Sequence, residues 1–218
     1  MKAGFWHERW EGGRTGFHQS ETNRYLMQYW DRLNLKKNAK VFVPLCGKSN
    51  DMLWLRDQGH EVIGAELSPI AVRDFFTQNN LHATQTKHGA LERWNSEGIT
   101  IFCGDVFALS ANDLEGVQAV YDRAALIALP PEMRRDYATH LRTILPVGTQ
   151  SLLVTIDYPQ HQRSGPPFSV PDDEVHALFQ EGFDVTKIVS ENVKSKSERI
   201  SDNMDYLNEN IFLIAKNM

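Results

Sequence analysis

Short apolar runs alternate with amphipathic segments along most of the chain, and this alternation is the feature that most limits its fold. Early runs such as 40–45 and 61–66 are apolar over most of their length and contain β-branched residues, which is typical of strands buried on both faces of a parallel sheet. We predict seven strands, at 40–45, 61–66, 99–103, 117–122, 151–156, 184–189 and 210–215.

Helix signals fall between these strands. Ser68 and Pro69 supply an N-cap and a first-turn proline, and Gly59 follows an amphipathic stretch as a helix C-cap does. Prolines at 130–131 and 171 open two further helices. Strand–helix alternation of this kind predicts an α/β fold with a doubly wound, mostly parallel seven-stranded sheet.

The two ends of the chain depart from the alternation. The stretch 192–209 is highly polar, so we expect a long hairpin-like connection that makes the last strand antiparallel. The region before the first strand is rich in aromatic residues, and we expect one or two helices there that cover the ligand edge of the sheet. We predict a single domain, 1–218, with residues 1–38 as an N-terminal helical lid and 39–218 as the sheet core.

Composition excludes several classes of protein. A net charge of −5 disfavours binding to nucleic acid, and no basic amphipathic stretch indicates a membrane surface. Apolar runs are too short to span a membrane, and the N-terminus lacks the apolar core of a signal peptide, so we expect a soluble, cytoplasmic monomer. Cys46 and Cys103 lie far apart, and neither they nor the scattered histidines have metal-ligand spacing.

The turn after the first strand indicates what kind of ligand to expect, because an open α/β sheet binds ligands beyond the carboxyl ends of its strands. Residues 43–49 read Val-Pro-Leu-Cys-Gly-Lys-Ser, with one glycine. A dinucleotide needs several glycines so that backbone can approach a pyrophosphate. Gly47 either receives the amino-acid part of a phosphate-free cofactor or only serves a tight turn.

Three further strand ends carry charged residues. Glu66 can accept hydrogen bonds from both hydroxyls of a ribose, and Asp105 can reach an adenine amine beside the backbone of Val106; each acid could instead serve a local turn. Arg123 suits a cofactor carboxylate or an electron-rich substrate, or forms a salt bridge with a neighbour. Gly, Glu and Asp at three consecutive strand ends together favour S-adenosylmethionine as the cofactor.

At the level of whole segments, the chain closely resembles thiopurine S-methyltransferases of the bacterial type over nearly its whole length. The segments that carry the resemblance are 6–19, 43–49, 59–68, 121–126 and 165–171. The Pro-Leu-Cys-Gly-Lys-Ser turn and the Gly-Pro-Pro-Phe loop are far more specific than a general methyltransferase pattern. The resemblance implies a Rossmann-like, class I S-adenosylmethionine-dependent methyltransferase that methylates the sulfur of aromatic or heterocyclic thiols, with bacterial members linked to selenium and tellurium species.

The resemblance also assigns roles to particular residues. Trp10 matches an aromatic contact to the cofactor, with Trp6 and Phe17 in the same lid, and Leu45 and Gly47 match the first-strand turn. Glu66 matches the ribose ligand, Asp105 and Val106 stand on the adenine side, and Arg123 lies at both cofactor and substrate. No residue is assigned as a general base, and no metal is expected.

Three alternatives stay open. The chain could methylate another small nucleophile, such as halide or thiocyanate, or bind S-adenosylmethionine as a sensor without turnover. A third hypothesis is a nicotinamide-dependent reductase, which the absence of a multi-glycine motif disfavours.

Overall fold

The computed structural model describes residues 3–16, 18–196 and 204–217. Within these ranges nine strands form one sheet: β1 Lys40–Val43, β2 Glu61–Glu66, β3 Thr84–His88, β4 Leu91–Ser96, β5 Ile99–Cys103, β6 Val117–Arg123, β7 Gln150–Asp157, β8 Phe183–Asn192 and β9 Asn208–Lys216. The α-helices of the same ranges are α1 Ala3–Glu11, α2 Arg24–Tyr29, α3 Asp51–Asp57, α4 Pro69–Gln78, α5 Pro131–Ile144 and α6 Asp172–Phe179. Single 3₁₀ turns span Trp30–Leu33, Val106–Ala108, Ala111–Leu114, Leu126–Ala128, Gln160–Gln162 and Lys194–Lys196.

The sheet has the strand order β3-β4-β5-β2-β1-β6-β7-β9-β8. The five central strands, from β5 to β7, are parallel, and the antiparallel pairings lie on either side of them. From β1 the chain builds outward first through β2 and β5 and then through β6 and β7. The strand order therefore reverses beside β1, which is the switch point where ligands bind in such sheets.

The last strand is antiparallel, as predicted. β9 pairs antiparallel with both β7 and β8, and the β8–β9 ladder closes at Asn192 and Asn208. The two strands are longer than the runs 184–189 and 210–215, because polar residues at their ends extend the ladder.

The predicted number of strands was wrong. The sheet has nine strands within the described ranges, and the two that the sequence did not reveal are β3 and β4. All five residues of β3 are exposed, and only Leu91, Trp94 and Ser96 of β4 are buried. These strands form a hairpin at the edge of the sheet, where neither face needs a continuous apolar run.

Both faces of the central strands are largely buried, which is why their sequences are mostly apolar. Phe42 packs on one face, in a cluster that includes Tyr137 of α5 and Val175 of α6. Val41 packs on the other, in a cluster that includes Leu55 of α3. Helices therefore cover both faces, and the doubly wound α/β architecture is confirmed.

Local signals set where the helices begin and end. The Ser68 side chain accepts a hydrogen bond from the Ala71 N–H, and Pro69 is the first residue of α4. Gly59 follows α3 with φ +89°, a left-handed conformation that suits glycine. Within the described part of the chain, no helix is both long and apolar enough to cross a lipid bilayer.

Candidate active site

A cavity of about 820 Å³ opens at the carboxyl edge of the parallel strands, between the sheet, the N-terminal segment and the loop that contains Pro166 and Pro167. The predicted site residues that line it are Trp6, Trp10, Leu45, Gly47, Glu66, Asp105, Val106 and Arg123. Phe17, also a predicted site residue, lies outside the described residues. The topology thus brings together side chains that are up to 117 positions apart in the sequence, from Trp6 to Arg123.

The turn after β1 is bonded directly to the end of β2. The N–H of Gly47 donates to Oε2 of Glu66 at 2.8 Å, and the N–H of Ser68 donates to Oε1 at 2.7 Å. Glu66 is only 7% exposed, and burial raises the pKa of its carboxyl although these N–H groups act in the opposite direction. Each carboxylate oxygen keeps a further lone pair, so the group can still accept hydrogen bonds from a ligand.

The indole of Trp10 packs against this turn. Gly47 has φ +55°, and a Cβ atom placed on it would lie 3.3 Å from the Trp10 ring. Glycine therefore both permits the left-handed backbone and leaves room for the aromatic wall. Trp6, one helical turn earlier on α1, is half-buried and lines the same cavity, so α1 presents two tryptophans to it.

At the end of β5, Asp105 has a structural role and also faces the cavity. Its Oδ1 accepts a 3.0 Å hydrogen bond from the N–H of Phe107 and caps the turn Val106–Ala108. The side chain is nonetheless exposed, and both Asp105 and the buried Val106 line the cavity. The local turn role and a binding role are thus compatible at this residue.

Arg123, at the end of β6, lies beside a buried carboxylate. Its Nη1 is 3.9 Å from Oδ2 of Asp51, and the side chains of Arg123 and Asp51 are 14% and 3% exposed. His18 lines the same part of the cavity. Burial lowers the pKa of His18, the charges of Lys48 and Arg123 lower it further, and Asp51 acts in the opposite direction, so the imidazole is neutral near pH 7.

The far end of the cavity lies on β7 and β9. Val154, Ile156 and Glu209 line it, together with Pro166 and Pro167. β9 is four strand positions from β2, which is about 19 Å at about 4.8 Å per strand. The cavity therefore has a polar end at Glu66 and a separate end that is apolar apart from Glu209.

The loop that contains Pro166 and Pro167 is held in place by contacts with the rest of the protein. The N–H of Phe168 donates to the Ile127 carbonyl at 2.7 Å, and the hydroxyl of Tyr158 donates to the Pro167 carbonyl at 2.6 Å. The guanidinium carbon of Arg134, which is 1% exposed, lies 5.9 Å from the centre of the Phe168 ring. The Gly-Pro-Pro-Phe motif thus forms a supported wall of the cavity.

Several lining residues were not predicted. His18, Asn23, Arg163 and Glu209 come from segments without a strand or helix pattern at the point of contact, or from the start of a strand. One signal could have found Glu209: because β9 is antiparallel, its first residues lie at the edge where the parallel strands end.

One of the two cysteines, Cys46, lines the cavity. Cys46 and Cys103 are buried free thiols, and burial raises the pKa of both. No group of three or more His, Cys, Asp or Glu side chains in the described ranges could hold a metal ion.

Solved structures share this fold. A methyltransferase dependent on S-adenosylmethionine from Anabaena variabilis matches 99% of the chain and 95% of its own length, with a TM-score of 0.67 and 14% identity. The 1,6-didemethyltoxoflavin-N1-methyltransferase of Burkholderia thailandensis, solved with S-adenosylhomocysteine, matches 99% of the chain and 87% of its own length, with a TM-score of 0.65 and 14% identity. The fold is that of the class I methyltransferases.

Sequence comparison identifies the family. The profile described as "Thiopurine S-methyltransferase (TPMT)" matches residues 1–217. The chain therefore belongs to the thiopurine S-methyltransferase family, and it is a methyltransferase that uses S-adenosylmethionine as its cofactor. The reductase alternative is excluded.

Individual relatives agree with the profile. A protein of Pseudomonas entomophila named thiopurine S-methyltransferase is 54% identical over 188 residues, which cover 86% of this chain and 87% of that protein. One of a Shewanella species, strain W3-18-1, with the same name is 45% identical over 217 residues, which cover 99% of this chain and 100% of that protein.

Proposed function

We propose that the protein transfers the methyl group of S-adenosylmethionine to the sulfur of aromatic or heterocyclic thiols, thiopurines among them, with selenium and tellurium species as further acceptors. The observation that carries this proposal is the single cavity that runs from Glu66 to the apolar surface on β7 and β9. Its volume, about 820 Å³, is in the upper part of the range of small-molecule sites, so cofactor and acceptor can lie in it together.

The residues at the polar end fit a phosphate-free nucleoside cofactor. Glu66 can accept hydrogen bonds from the two ribose hydroxyls, and its negative charge would repel a phosphate. The backbone of Leu45 and Gly47 is open to the amino-acid part of the cofactor, because Gly47 has no Cβ. Asp105 and Val106 would hold the adenine from the end of β5.

Aromatic residues of the N-terminal segment complete the cofactor end. Trp10 closes the space above Gly47, and Trp6 lies beside it on the same helix. An indole face attracts a cation, so these residues favour a positively charged sulfonium. We propose that this segment, with Phe17, acts as a lid that excludes water.

At the other end, Val154, Ile156, Pro166 and Pro167 offer a rigid, largely apolar surface that suits a planar ring. Bound S-adenosylmethionine supplies a methyl group on a sulfonium with a good leaving group. The protein's task is then to hold the acceptor sulfur in line with that methyl group and to exclude water.

Arg123 is the residue that bears on the reacting sulfur. It lines the cavity from the end of β6, which lies between β2 and β7 in the sheet, and a positive charge there would favour the thiolate over the neutral thiol. A thiolate is a strong nucleophile, so we assign no general base.

The test is incubation with S-adenosylmethionine labelled in the methyl group and a panel of acceptors: 6-mercaptopurine, thiophenol, selenite, tellurite, thiocyanate and iodide. We expect label in the S-methyl product of the thiols, and a large loss of that product in Arg123→Gln. Transfer only to thiocyanate or iodide would show that the acceptor is another small nucleophile and not a thiol. Binding of the cofactor with no transfer to any acceptor would favour a sensor.

A single domain over 1–218, a monomeric state and a cytoplasmic location remain predictions. Sedimentation of the purified protein tests the second of these, with one species near 24.9 kDa as the expected result.

A further inference from the structure

Asp51 is a buried carboxylate that lies close to two other parts of the molecule, the N-cap of α2 and the end of β6. It is 2% exposed and stands at the start of α3. Oδ1 accepts a 2.8 Å hydrogen bond from the backbone N–H of Asn23, the N-cap of α2 in the N-terminal segment. Oδ2 accepts one from the hydroxyl of Tyr121 at 3.2 Å and lies 3.9 Å from Nη1 of Arg123.

The Arg123 side chain needs a partner such as Asp51, because the position of its backbone does not by itself determine where the guanidinium lies. It is the last residue of β6, and Ala124 follows with φ +74°, in the left-handed region that alanine rarely adopts. The chain therefore turns sharply away from the sheet directly after Arg123. A long, flexible side chain at such a point samples many rotamers unless a neighbouring group restrains it.

The neighbouring charges make Asp51 the restraint. Lys48 and Arg123 are the positive groups that act on His18 in this part of the cavity, and Asp51 is the negative one. Among the described residues, Asp51 is the carboxylate that pairs with the Arg123 guanidinium, with Oδ2 3.9 Å from Nη1. This attraction draws Arg123 toward the wall formed by α3 and β6, at the carboxyl edge of the sheet.

We propose that Asp51 is the positioning residue for Arg123: it holds the guanidinium at the acceptor sulfur and ties that position to the seating of the N-terminal segment through Asn23. This inference rests on the proposed role of Arg123. Asp51 itself does not line the cavity, so it acts on the reaction through Arg123 and not by contact with the acceptor.

A double-mutant cycle tests this. Asp51→Asn keeps the size of the side chain and the oxygen that faces Asn23 but removes the charge. We expect it to lower kcat/KM for 6-mercaptopurine about 10-fold or more at saturating S-adenosylmethionine, because small misplacements of a catalytic group have large effects on rate. In an Arg123→Gln background the same substitution should change kcat/KM less than about 2-fold, since the group it acts through is gone.

Two further variants separate positioning from general stability. Asp51→Glu keeps the charge and should restore part of the lost activity. Tyr121→Phe removes the hydroxyl contact but no charge, and it should change kcat/KM less than about 3-fold. If Asp51→Asn does not fold, the double-mutant cycle is measured with Asp51→Glu instead. This variant keeps the charge but moves it relative to Arg123.

The outcomes are distinct. Equal losses from Asp51→Asn in both backgrounds, with Arg123→Gln itself impaired, would overturn the positioning role and leave the proposed function intact. An Arg123→Gln enzyme as active as wild type would show that the proposed role of Arg123 is wrong, and the inference would fall with it.

Discussion

Gly47 and Glu66 are joined by a 2.8 Å hydrogen bond from the backbone N–H of the glycine to the carboxylate, across the ends of two neighbouring strands. The turn after β1 and the end of β2 are therefore one unit. Trp10 packs on the same turn, so three segments that are distant in sequence meet where the cofactor is proposed to bind.

This unit predicts a specific effect of a methyl group at Gly47. Gly47→Ala forces alanine into a left-handed backbone, which costs about 1–2 kcal/mol of folding free energy, and it places a Cβ atom 3.3 Å from the Trp10 ring. We expect at least about a 10-fold loss of affinity for S-adenosylmethionine, measured by isothermal titration, because Trp10 must move.

Gly148→Ala is the matched control for that experiment. Gly148 has φ +83°, and a Cβ atom there would meet nothing within 4 Å. It should show the same backbone penalty in denaturant unfolding with unchanged cofactor affinity. Equal loss of affinity in both variants would mean that Gly47 matters only through stability.

The support of the Gly-Pro-Pro-Phe loop predicts a second effect. Arg134 is 1% exposed, and its Nη1 donates to both carboxylate oxygens of Glu174 at 2.6 Å. Glu174 is 28% exposed, but its removal leaves the charge of the buried Arg134 uncompensated, so Glu174→Ala should lower the free energy of unfolding by about 3 kcal/mol.

An exposed ion pair of the same kind provides the comparison. Arg142 and Glu181 are 37% and 73% exposed, so Glu181→Ala should cost less than about 1 kcal/mol. Urea unfolding of both variants checks this, and a Glu174→Ala protein as stable as Glu181→Ala would contradict the account of the loop.

Asp122 predicts a pH dependence of stability. It is fully buried on β6, and burial raises its pKa from 3.8 to about 6 despite hydrogen bonds from Tyr137 and from the N–H of Leu126. Below about pH 3 the carboxyl is protonated in both folded and unfolded states. As the pH rises from about 4 to about 6, ionisation disfavours the folded state, so this residue's contribution to stability falls.

Asp122→Asn cannot ionise and isolates that contribution. The stability of wild type minus that of Asp122→Asn should fall by about 3 kcal/mol between pH 3 and pH 7, since each pKa unit corresponds to about 1.4 kcal/mol. Asp136→Asn, at an exposed position of α5, is the control for the change of charge. A difference that rises or stays flat with pH would refute the raised pKa.

Much of the fold was predictable because the parallel core imposes a pattern that sequence displays directly. Strands such as β1 and β5 are buried on both faces and are therefore mostly apolar. The β3–β4 hairpin was missed because an exposed edge needs no such pattern. One signal was present: Gly89 and Ala90 join the two strands as a two-residue turn, with Gly89 at φ +58°.

The residues of the site likewise fall into those that the sequence predicted and those that it did not. Gly47, Glu66 and Asp105 were found because they follow strands, and the carboxyl ends of parallel strands share one edge. His18 and Arg163 reach the cavity from irregular segments, whose course depends on tertiary contacts that leave no periodic trace. Asp51 was missed for another reason: at the start of a helix, an acid is expected for local electrostatic reasons alone.

The most direct test of the account is isothermal titration of S-adenosylmethionine into wild type, Glu66→Gln and Glu61→Gln. Glu66 is the buried carboxylate at the cavity, whereas Glu61 is an exposed glutamate at the opposite end of the same strand. We predict that Glu66→Gln remains folded and loses at least about 10-fold in affinity, because a carboxylate accepts hydrogen bonds more strongly than an amide. Glu61→Gln should bind as wild type does. A folded Glu66→Gln protein with wild-type affinity would contradict the central claim that Glu66 holds the cofactor.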